Sequence, residues 1–580
     1  MESCSEHYHW IHLVFCAHGI WNKFLKIIHK NRATNAKKSI EQQASLTEIL
    51  LIDATSFSTN RNKQYLAIDY LKYPFPFMTA DAEKAAARTY DYIVVGGGTA
   101  GCPLAATLSQ HYSVLLLERG DSPYGNPDTA DVKGLLKILG DPTKYPFVTE
   151  GFVSEDGVQL LRGRVLGGGT AINGGFYSRA STEFIRKMEW DEKLVNDSYE
   201  WVEEVVAFKP DKLSRWNSAV RNALLEAGVL PYHGYTVDHF EGTKISASTF
   251  DNDGRRHTAA DLLQYANPDN IVVLLNATAS KILFDSSSGK LKAIGVEFVS
   301  TIDGLFHQVF TNHLSPWSEV ILSAGSIGSP QLLMLSGIGP SKQLQELNIT
   351  VHLDLNSVGK EIQDPPRITI IIKSPEPLET VQPQVVGILE NSQVYFESFS
   401  FFQQESATKN QYLACIFCKI ALPLSRGEIR LRSKNPQDIP SIRYNYFSHV
   451  SDLQECLDTI KMLSKIVRTH SIQEFAFGGN GNSKILQFIG PKLPQNQLDN
   501  KELEFFCRDT VATFWHYSGG CEVDSVIDQN LHVKGINSLR VVDNSIFKES
   551  PGTYPQATLM MLGRYVGDKM LQERKNICEY

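Results

Sequence analysis

A chain of 580 residues is several times longer than one hydrophobic core needs, so it folds as two or more domains or one large composite domain, and a small disulfide-stapled scaffold is excluded. With 42% hydrophobic, 10% aromatic and 21% charged residues, 41 Gly and 25 Pro, the composition is that of an ordinary folded protein and not of a disordered or fibrous one. The 64 acidic against 56 basic side chains leave a net charge of −8, which supplies no overall basic field for nucleic acid or an anionic membrane.

Residues 1–60 are irregular, polar and basic, and KYPFPFM (72–78) reads as an extended lead-in, so residues 1–85 are expected to form a largely irregular extension. Ile11 to Trp21 is mildly apolar, but it contains His12, His18 and Gly19, and its positive charges (Lys23, Lys26, Lys30) follow the apolar stretch where a secretory signal has them in front. No acid occurs between Glu6 and Glu41, which leaves room for an organellar transit segment. No window holds the roughly 18 consecutive apolar residues of a spanning helix, so no integral membrane span is expected.

From Tyr90 the pattern changes. DYIVV is a continuous apolar β-prone run, GGGTAG a glycine turn, CPLAATLSQ has helical apolar spacing, and SVLLLERG is a second buried strand, which together make a βαβ unit. There follow a Gly-rich segment from Gly163 to Gly175, the strand-like NIVVLLNATASKILF, a second strand-to-helix turn in EVILSAGSIGSPQLLMLSGIG, and a long mixed region from about 350 to 510. The chain ends on a strand, a loop and a helix, SLRVVDNSIF and then PQATLMMLGRYVGDKMLQER. Nucleotide-binding character at both ends predicts a discontinuous domain with another inserted. The nine Cys are odd in number and scattered, so they form no dense disulfide framework. Cys415 and Cys418 lie in the strand-like YLACIFCKIALPL, where a three-residue offset sends side chains to opposite faces, and no second Cys or His pair stands at metal-ligand spacing; they read as buried structural thiols, with no metal site. Three glycosylation sequons, at Asn196, Asn276 and Asn348, are about what chance gives at this length.

Gly96, Gly98 and Gly101 make G-x-G-x-x-G between a predicted strand and a predicted helix, and Glu118 ends the next strand about 20 residues on, where a carboxylate can bond a ribose hydroxyl. Gly96 serves a tight turn, Gly98 close approach of the backbone to a pyrophosphate, and Gly101 helix–strand packing. An acid at position 118 argues against the extra phosphate of NADP and leaves NAD and FAD both open. Three further segments carry a family resemblance. Residues 163–173 (GRVLGGGTAIN) and 325–339 (GSIGSPQLLMLSGIG) resemble the two signatures of the glucose–methanol–choline (GMC) flavin oxidoreductases, and the C-terminal Trp515-His516 with Tyr554-Pro555-Gln556 resembles their catalytic end. The similarity runs from about Tyr90 to Arg574 and is strongest to the plant branch containing mandelonitrile (hydroxynitrile) lyase and the HOTHEAD-like proteins, through FVSEDG (152–157) and LMMLGRYVG (559–567).

This resemblance implies an α/β fold with a discontinuous, doubly wound FAD-binding domain (86–180, 255–345 and 520–575) and an α+β substrate-binding domain with an antiparallel sheet (181–254 and 346–519). It implies one bound FAD, with Thr99 and Ala100 at the pyrophosphate, Glu118 and Arg119 at the adenosine ribose, and Ala279 at the adenine. Val165, Gly169 and the run Asn173, Gly174, Gly175 and Phe176 would line the ribityl chain and flavin, with Trp515, His516, Asp543, Asn544, Ser545, Pro555 and Gln556 closing the other end. A helix starting at Pro555 would place its positive dipole end near a reduced flavin. The resemblance makes His516 the catalytic base for a small alcohol or cyanohydrin. It also exposes departures. The second catalytic position, normally His or Asn, is Tyr554, a hydrogen-bond donor and a poor base at neutral pH. The Tyr that the lyases carry before Trp-His is Phe514, and their substrate-binding Cys aligns near Glu397, whose charge opposes the departure of cyanide. Alcohol oxidation therefore leads over a lyase with structural FAD and over an impaired flavin-binding protein. The family habit also implies a secretory location and a disulfide between Cys456 and Cys507.

Overall fold

The structure is a computed structural model and describes residues 72–578 apart from 375, 390–392, 407–408, 478–485 and 553. The expectations for the first 71 residues lie outside the described residues. The described chain runs through β1 (Met78–Thr79), β2 (Tyr92–Val95), α1 (Gly101–Leu108), β3 (Val114–Leu117), α2 (Val132–Gly140), α3 (Arg215–Glu226) and β4 (Gly242–Ile245). It continues through β5 (Ile271–Leu274), β6 (Glu319–Leu322) and α4 (Gly325–Leu335), and then through β7 (Pro366–Ser374), β8 (Val385–Ile388), β9 (Val394–Ser406) and β10 (Lys409–Ile420). It closes through α5 (Val450–Val467), α6 (Asn500–Thr510), β11 (Leu539–Val541) and α7 (Pro555–Cys578).

Six short strands form a parallel sheet in the order β1–β5–β3–β2–β6–β11, so pieces from both ends of the chain lie side by side. Every residue of β2 and β3 is buried, which is why these strands read as unbroken apolar runs and not as alternation. Within residues 1–85, expected to be largely irregular, the structure has β1 and nearly all of a short helix, Ala82–Ala86, whose Asp81 caps its N-terminus through the Lys84 amide. Against this sheet α7 lies so close to the start of α1 that a Cβ on Gly563 would stand 2.2 Å from the Ala100 carbonyl oxygen.

The second sheet is built around β7–β10–β9–β8–β4, antiparallel throughout this run. Its strands alternate strictly. Ile368, Ile370, Phe396, Ile416 and Cys418 face outward into a core shared with Trp216 and Val220 of α3 and Cys456 and Ile460 of α5. The opposite face presents Arg367, Thr369, Glu397, Phe399, Cys415 and Phe417 to a cavity that separates the two sheets. Cys415 and Cys418 thus point to opposite faces and are both buried, as the three-residue offset predicts. Behind the second core a disulfide joins Cys456 of α5 to Cys507 of α6, with Cα atoms 6.3 Å apart. Among the described residues no helix is long and apolar enough to cross a membrane, and no cluster of His, Cys, Asp and Glu could hold a metal ion.

Candidate active site

The cavity between the sheets has a volume of about 450 Å³ and runs from the glycine turn after β2 to the polar face of β7, β9 and β10. At the first end each glycine has a distinct steric reason. Gly96 has φ +108°, and a Cβ there would meet the Ser323 carbonyl oxygen at 2.4 Å; a Cβ on Gly101 would meet the Gly96 carbonyl oxygen at 2.0 Å. Gly98 is different: its Cβ would find only one atom within 4 Å and would otherwise project into the cavity, as would one on Gly169. The backbone is bare where an extended ligand would press against it. The start of α1 has no side-chain cap, so the Gly101 amide meets no capping side chain, whereas the next amide, of Cys102, donates to the Gly98 carbonyl at 3.2 Å and Pro103 carries no N–H. Glu118, just past β3, accepts hydrogen bonds from the amides of Gly97 at 3.0 Å and Gly120 at 2.7 Å, and burial raises its pKa above the ordinary carboxylate value.

Midway, Asn173 and Gln556 tie the Gly-rich segment to α7: the Asn173 amide donates to Gln556 Oε1 at 2.8 Å, and the Gln556 amide donates to the Phe176 carbonyl at 2.6 Å. Pro555 takes the first position of α7, where its missing N–H is no loss. Asp543 accepts from the Gly325 amide at 2.9 Å and from Ser329 and Ser545, which locks the turn into α4 against the end of β11. Asn544 beside it lines the cavity with a buried Oδ1 that has no protein partner. Most of the residues singled out for the cofactor line this one cavity, from Gly96, Thr99 and Arg119 through Ala279 to Pro555. Gly101, Val165 and Ser545 stand behind the lining, where they support the turn, the Gly-rich segment and Asp543. An extended FAD fits this lining: an uncapped helix start and two bare glycines suit a pyrophosphate, and a buried acceptor at Asn544 suits hydroxyl or N–H donors.

At the other end, the short strand Ala512–Thr513 pairs with the beginning of β7 and delivers Phe514, Trp515 and His516 into the cavity. Trp515 has φ +60°, a left-handed conformation that costs a non-glycine residue on the order of 1 kcal/mol. The bend is held by the Trp515 amide donating to Thr513 Oγ1 at 2.6 Å and the His516 amide donating to Asp364 Oδ1 at 3.1 Å. His516 stands 5.5 Å, ring to ring and edge to face, from Tyr554, and 4.8 Å from Phe514; its Nδ1 is buried and has no hydrogen-bond partner. Removal from water, aided by Lys419, holds the imidazole pKa well below its ordinary value, so the ring is neutral and an acceptor at physiological pH.

Tyr554 packs on Phe176 with centroids 4.5 Å apart, and its phenol donates to Glu397 Oε2. The donor that the sequence places at position 554 is thus bonded to Glu397. Behind the pair lies Lys419, fully buried, donating to the Gly552 carbonyl at 3.3 Å and 5.7 Å from the Tyr554 ring. Burial raises the carboxyl groups of Glu397 and Asp364 to about 7 and lowers the Lys419 ammonium to about 7. Asp364 also accepts from the Tyr446 phenol at 2.5 Å. Asp364, Thr369 and Lys419 were not found by sequence reasoning. For Thr369 and Lys419 the signal was the period-two alternation of β7 and β10, which places Arg367, Thr369, Phe417 and Lys419 on one face once those runs are read as strands; Asp364 precedes β7 and no local pattern marks it.

A family model described as GMC oxidoreductase matches the chain in two parts, its N-terminal part over residues 90–367 and its C-terminal part over residues 423–563. The protein HOTHEAD of Arabidopsis thaliana is 44% identical over 531 residues, covering 84% of this chain and 89% of its own length. Sinapyl alcohol oxidase Nec3 of Nesocodon mauritianus is 45% identical over 505 residues, with 84% and 89% covered. (R)-mandelonitrile lyase 3 of Prunus serotina is 44% identical over 498 residues, with 84% and 86% covered. Among solved structures, formate oxidase of Aspergillus oryzae superposes with a TM-score of 0.70 at 18% identity, over 85% of this chain and 99% of that one. Pyridoxine 4-oxidase superposes with a TM-score of 0.68 at 21% identity, over 83% and 98%.

Proposed function

Because the chain belongs to the GMC oxidoreductase family and is an FAD-dependent alcohol oxidoreductase, we propose that it oxidises the CH–OH group of a primary aromatic alcohol to the carbonyl, with His516 as the base. The observation that carries this reading is the His516 imidazole, held neutral at the end of a cavity walled by Phe176, Phe399, Phe417, Phe514 and Trp515. Aromatic walls favour a flat, apolar substrate body, and a neutral imidazole, which keeps one acceptor nitrogen, favours a hydroxyl donor. The bound flavin supplies the acceptor for the hydride that leaves the carbinol carbon. His516 draws the hydroxyl proton toward itself, which raises the electron density that expels the hydride. Phe514 and Trp515 flank the imidazole and keep water away from it, and Asp364 fixes the backbone from which it projects.

Cyanohydrin cleavage is the second reading, supported by identity to several mandelonitrile lyases. Glu397 weighs against it: a carboxyl that ionises near neutrality opposes a departing cyanide. Anaerobic mixing of the flavoprotein with sinapyl alcohol, benzyl alcohol and mandelonitrile tests both readings. Bleaching of the oxidised flavin by either alcohol supports oxidation. Cyanide release without bleaching would replace it with the lyase, and neither signal would leave a flavin-binding protein without this chemistry.

A further inference from the structure

Glu397 is used in the reading above only as an obstacle to another reaction, yet it is the one carboxyl in direct contact with the atypical group beside the base. It projects from near the start of β9, across from Phe417 of β10, is 4% exposed, and accepts a hydrogen bond from the phenol of Tyr554. A phenol that donates to a carboxylate turns its oxygen lone pairs, not its hydrogen, toward other neighbours. A donor approaching Tyr554 can therefore bond only to those lone pairs. The imidazole of His516, edge to face with the same ring, is a poor resting place for a proton, because it is out of water and Lys419 adds a like charge nearby.

Resting on the alcohol-oxidation reading, we propose that Glu397 is a positioning residue that receives, through Tyr554, the proton that His516 draws from the substrate hydroxyl. Over the step the O–H bond of the alcohol breaks and an O–H bond to Glu397 Oε2 forms. Tyr554 takes one proton at its oxygen, gives one to Glu397, and ends unchanged. The C–H electron pair leaves with its hydrogen to the flavin, which is reduced as the alcohol carbon is oxidised. His516 returns to the neutral form in which it accepts the next hydroxyl.

The surroundings of the pair set the sign of its pH dependence. Lys419 of β10 and Arg367 of β7 are the cations that face Glu397, Asp364 lies across the cluster against Lys419 and the His516 amide, Cys418 of β10 and Tyr395 of β9 are the neighbouring acids, and His516 closes the cavity side. Burial is the largest influence on Glu397 and raises it to about 7, while Tyr554 is held well above its ordinary value and stays protonated. The accepting form of Glu397 thus accumulates as pH rises through about 7, as one of a group of coupled carboxyls and not as an isolated site.

The test is anaerobic stopped-flow bleaching of the holoenzyme by sinapyl or benzyl alcohol from pH 5.5 to 9, beside infrared difference spectra of the reduced minus oxidised protein. The wild type should show a rate that climbs roughly tenfold or more through an acid limb near pH 7, and a new C=O band of a neutral carboxylic acid on reduction. Glu397→Gln preserves an acceptor for the phenol but takes up no proton; it should flatten the limb, lower the alkaline rate by at least about tenfold, and lose the infrared band. Tyr554→Phe should do the same to the limb, and the double variant should be no slower than either single one, as in a shared unit. A merely structural Glu397 would alter flavin content or KM and leave the limb and the band in place. Bleaching with an unchanged limb and band in Glu397→Gln overturns the relay alone, whereas a wild type bleached by no alcohol overturns the relay together with the reading beneath it.

Discussion

Single residues separate cofactor binding from catalysis in this chain, and the two glycines of one turn make the sharpest contrast. At Gly101 a methyl would collide with backbone at 2.0 Å, so Gly101→Ala should destabilise the fold by about 1–3 kcal/mol whether or not flavin is present. At Gly98 the same methyl would enter the cavity, so Gly98→Ala should fold with a near-native denaturation midpoint and bind FAD at least about tenfold more weakly, read by flavin absorbance on titration. A Gly98→Ala protein that retains full flavin would remove the pyrophosphate from this position. His516→Ala acts at the opposite end of the cavity. It should leave flavin content unchanged and slow bleaching by alcohol about 10²–10⁴-fold. Because the folded-state pKa of His516 lies below that of free histidine, the acid limb expected near pH 7 would not be its own titration, and this variant should be slow at every pH instead of shifting the limb.

Elements carry the next level of argument, and α5 and α6 carry most of it for the second sheet, since the face of β7, β9 and β10 that does not meet the cavity is covered from their side. The Cys456–Cys507 bond spans 51 residues of sequence, which in the chain-entropy model is worth about 4 kcal/mol. Replacing both residues by Ser should lower the guanidinium midpoint accordingly while leaving flavin binding intact, because the bond sits in the second core and not at the cavity. Peptide mapping without reductant should find the two cysteines linked, and finding both thiols alkylated in protein from its native source would show that the bond does not form there. What was legible in the sequence follows the same division. Parallel strands buried on both faces announce themselves as YIVV and VLLL, and a proline announces the start of α7, because each imposes a local rule that no tertiary contact had to override. The flavin-side residues came from such local rules and from family signatures. Arg367, Thr369 and Lys419 did not, because they meet only through strand register across segments about 50 residues apart, and no local pattern fixes which strand lies beside which; Asp364, just before β7, meets Tyr446 and His516 only in the tertiary fold. The bond from the Tyr554 phenol to Glu397 was not legible for the same reason.

At the scale of the whole molecule, the cavity is where the two sheets meet, and a ligand along its length touches both. Gly96, Glu118 and Ala279 belong to the side of the parallel sheet, Glu397 and Phe417 to the antiparallel one, and α7 borders the passage between them through Pro555 and Gln556. FAD bound along this lining would be part of the packing that joins the two cores. A ligand that binds only the folded chain adds stability of RT ln(1 + [L]/Kd), which is about 2.7 kcal/mol at a hundredfold excess over Kd. Kd already contains every contact that the ligand makes, including any partner it would give to a buried atom such as Asn544 Oδ1, where an unsatisfied group costs on the order of 1–3 kcal/mol. This stabilisation would act on both sheets at once. Removing the flavin should therefore lower the unfolding midpoint of the chain as one transition, followed equally by tryptophan fluorescence and by far-UV circular dichroism, and adding FAD back should restore it in proportion to the logarithm of its concentration. If flavin were held by the parallel sheet alone, its removal would split the melt into an early and an unshifted phase. That outcome would mean that the cavity face of β7, β9 and β10 serves the substrate only, and that the cofactor does not couple the two halves of the fold.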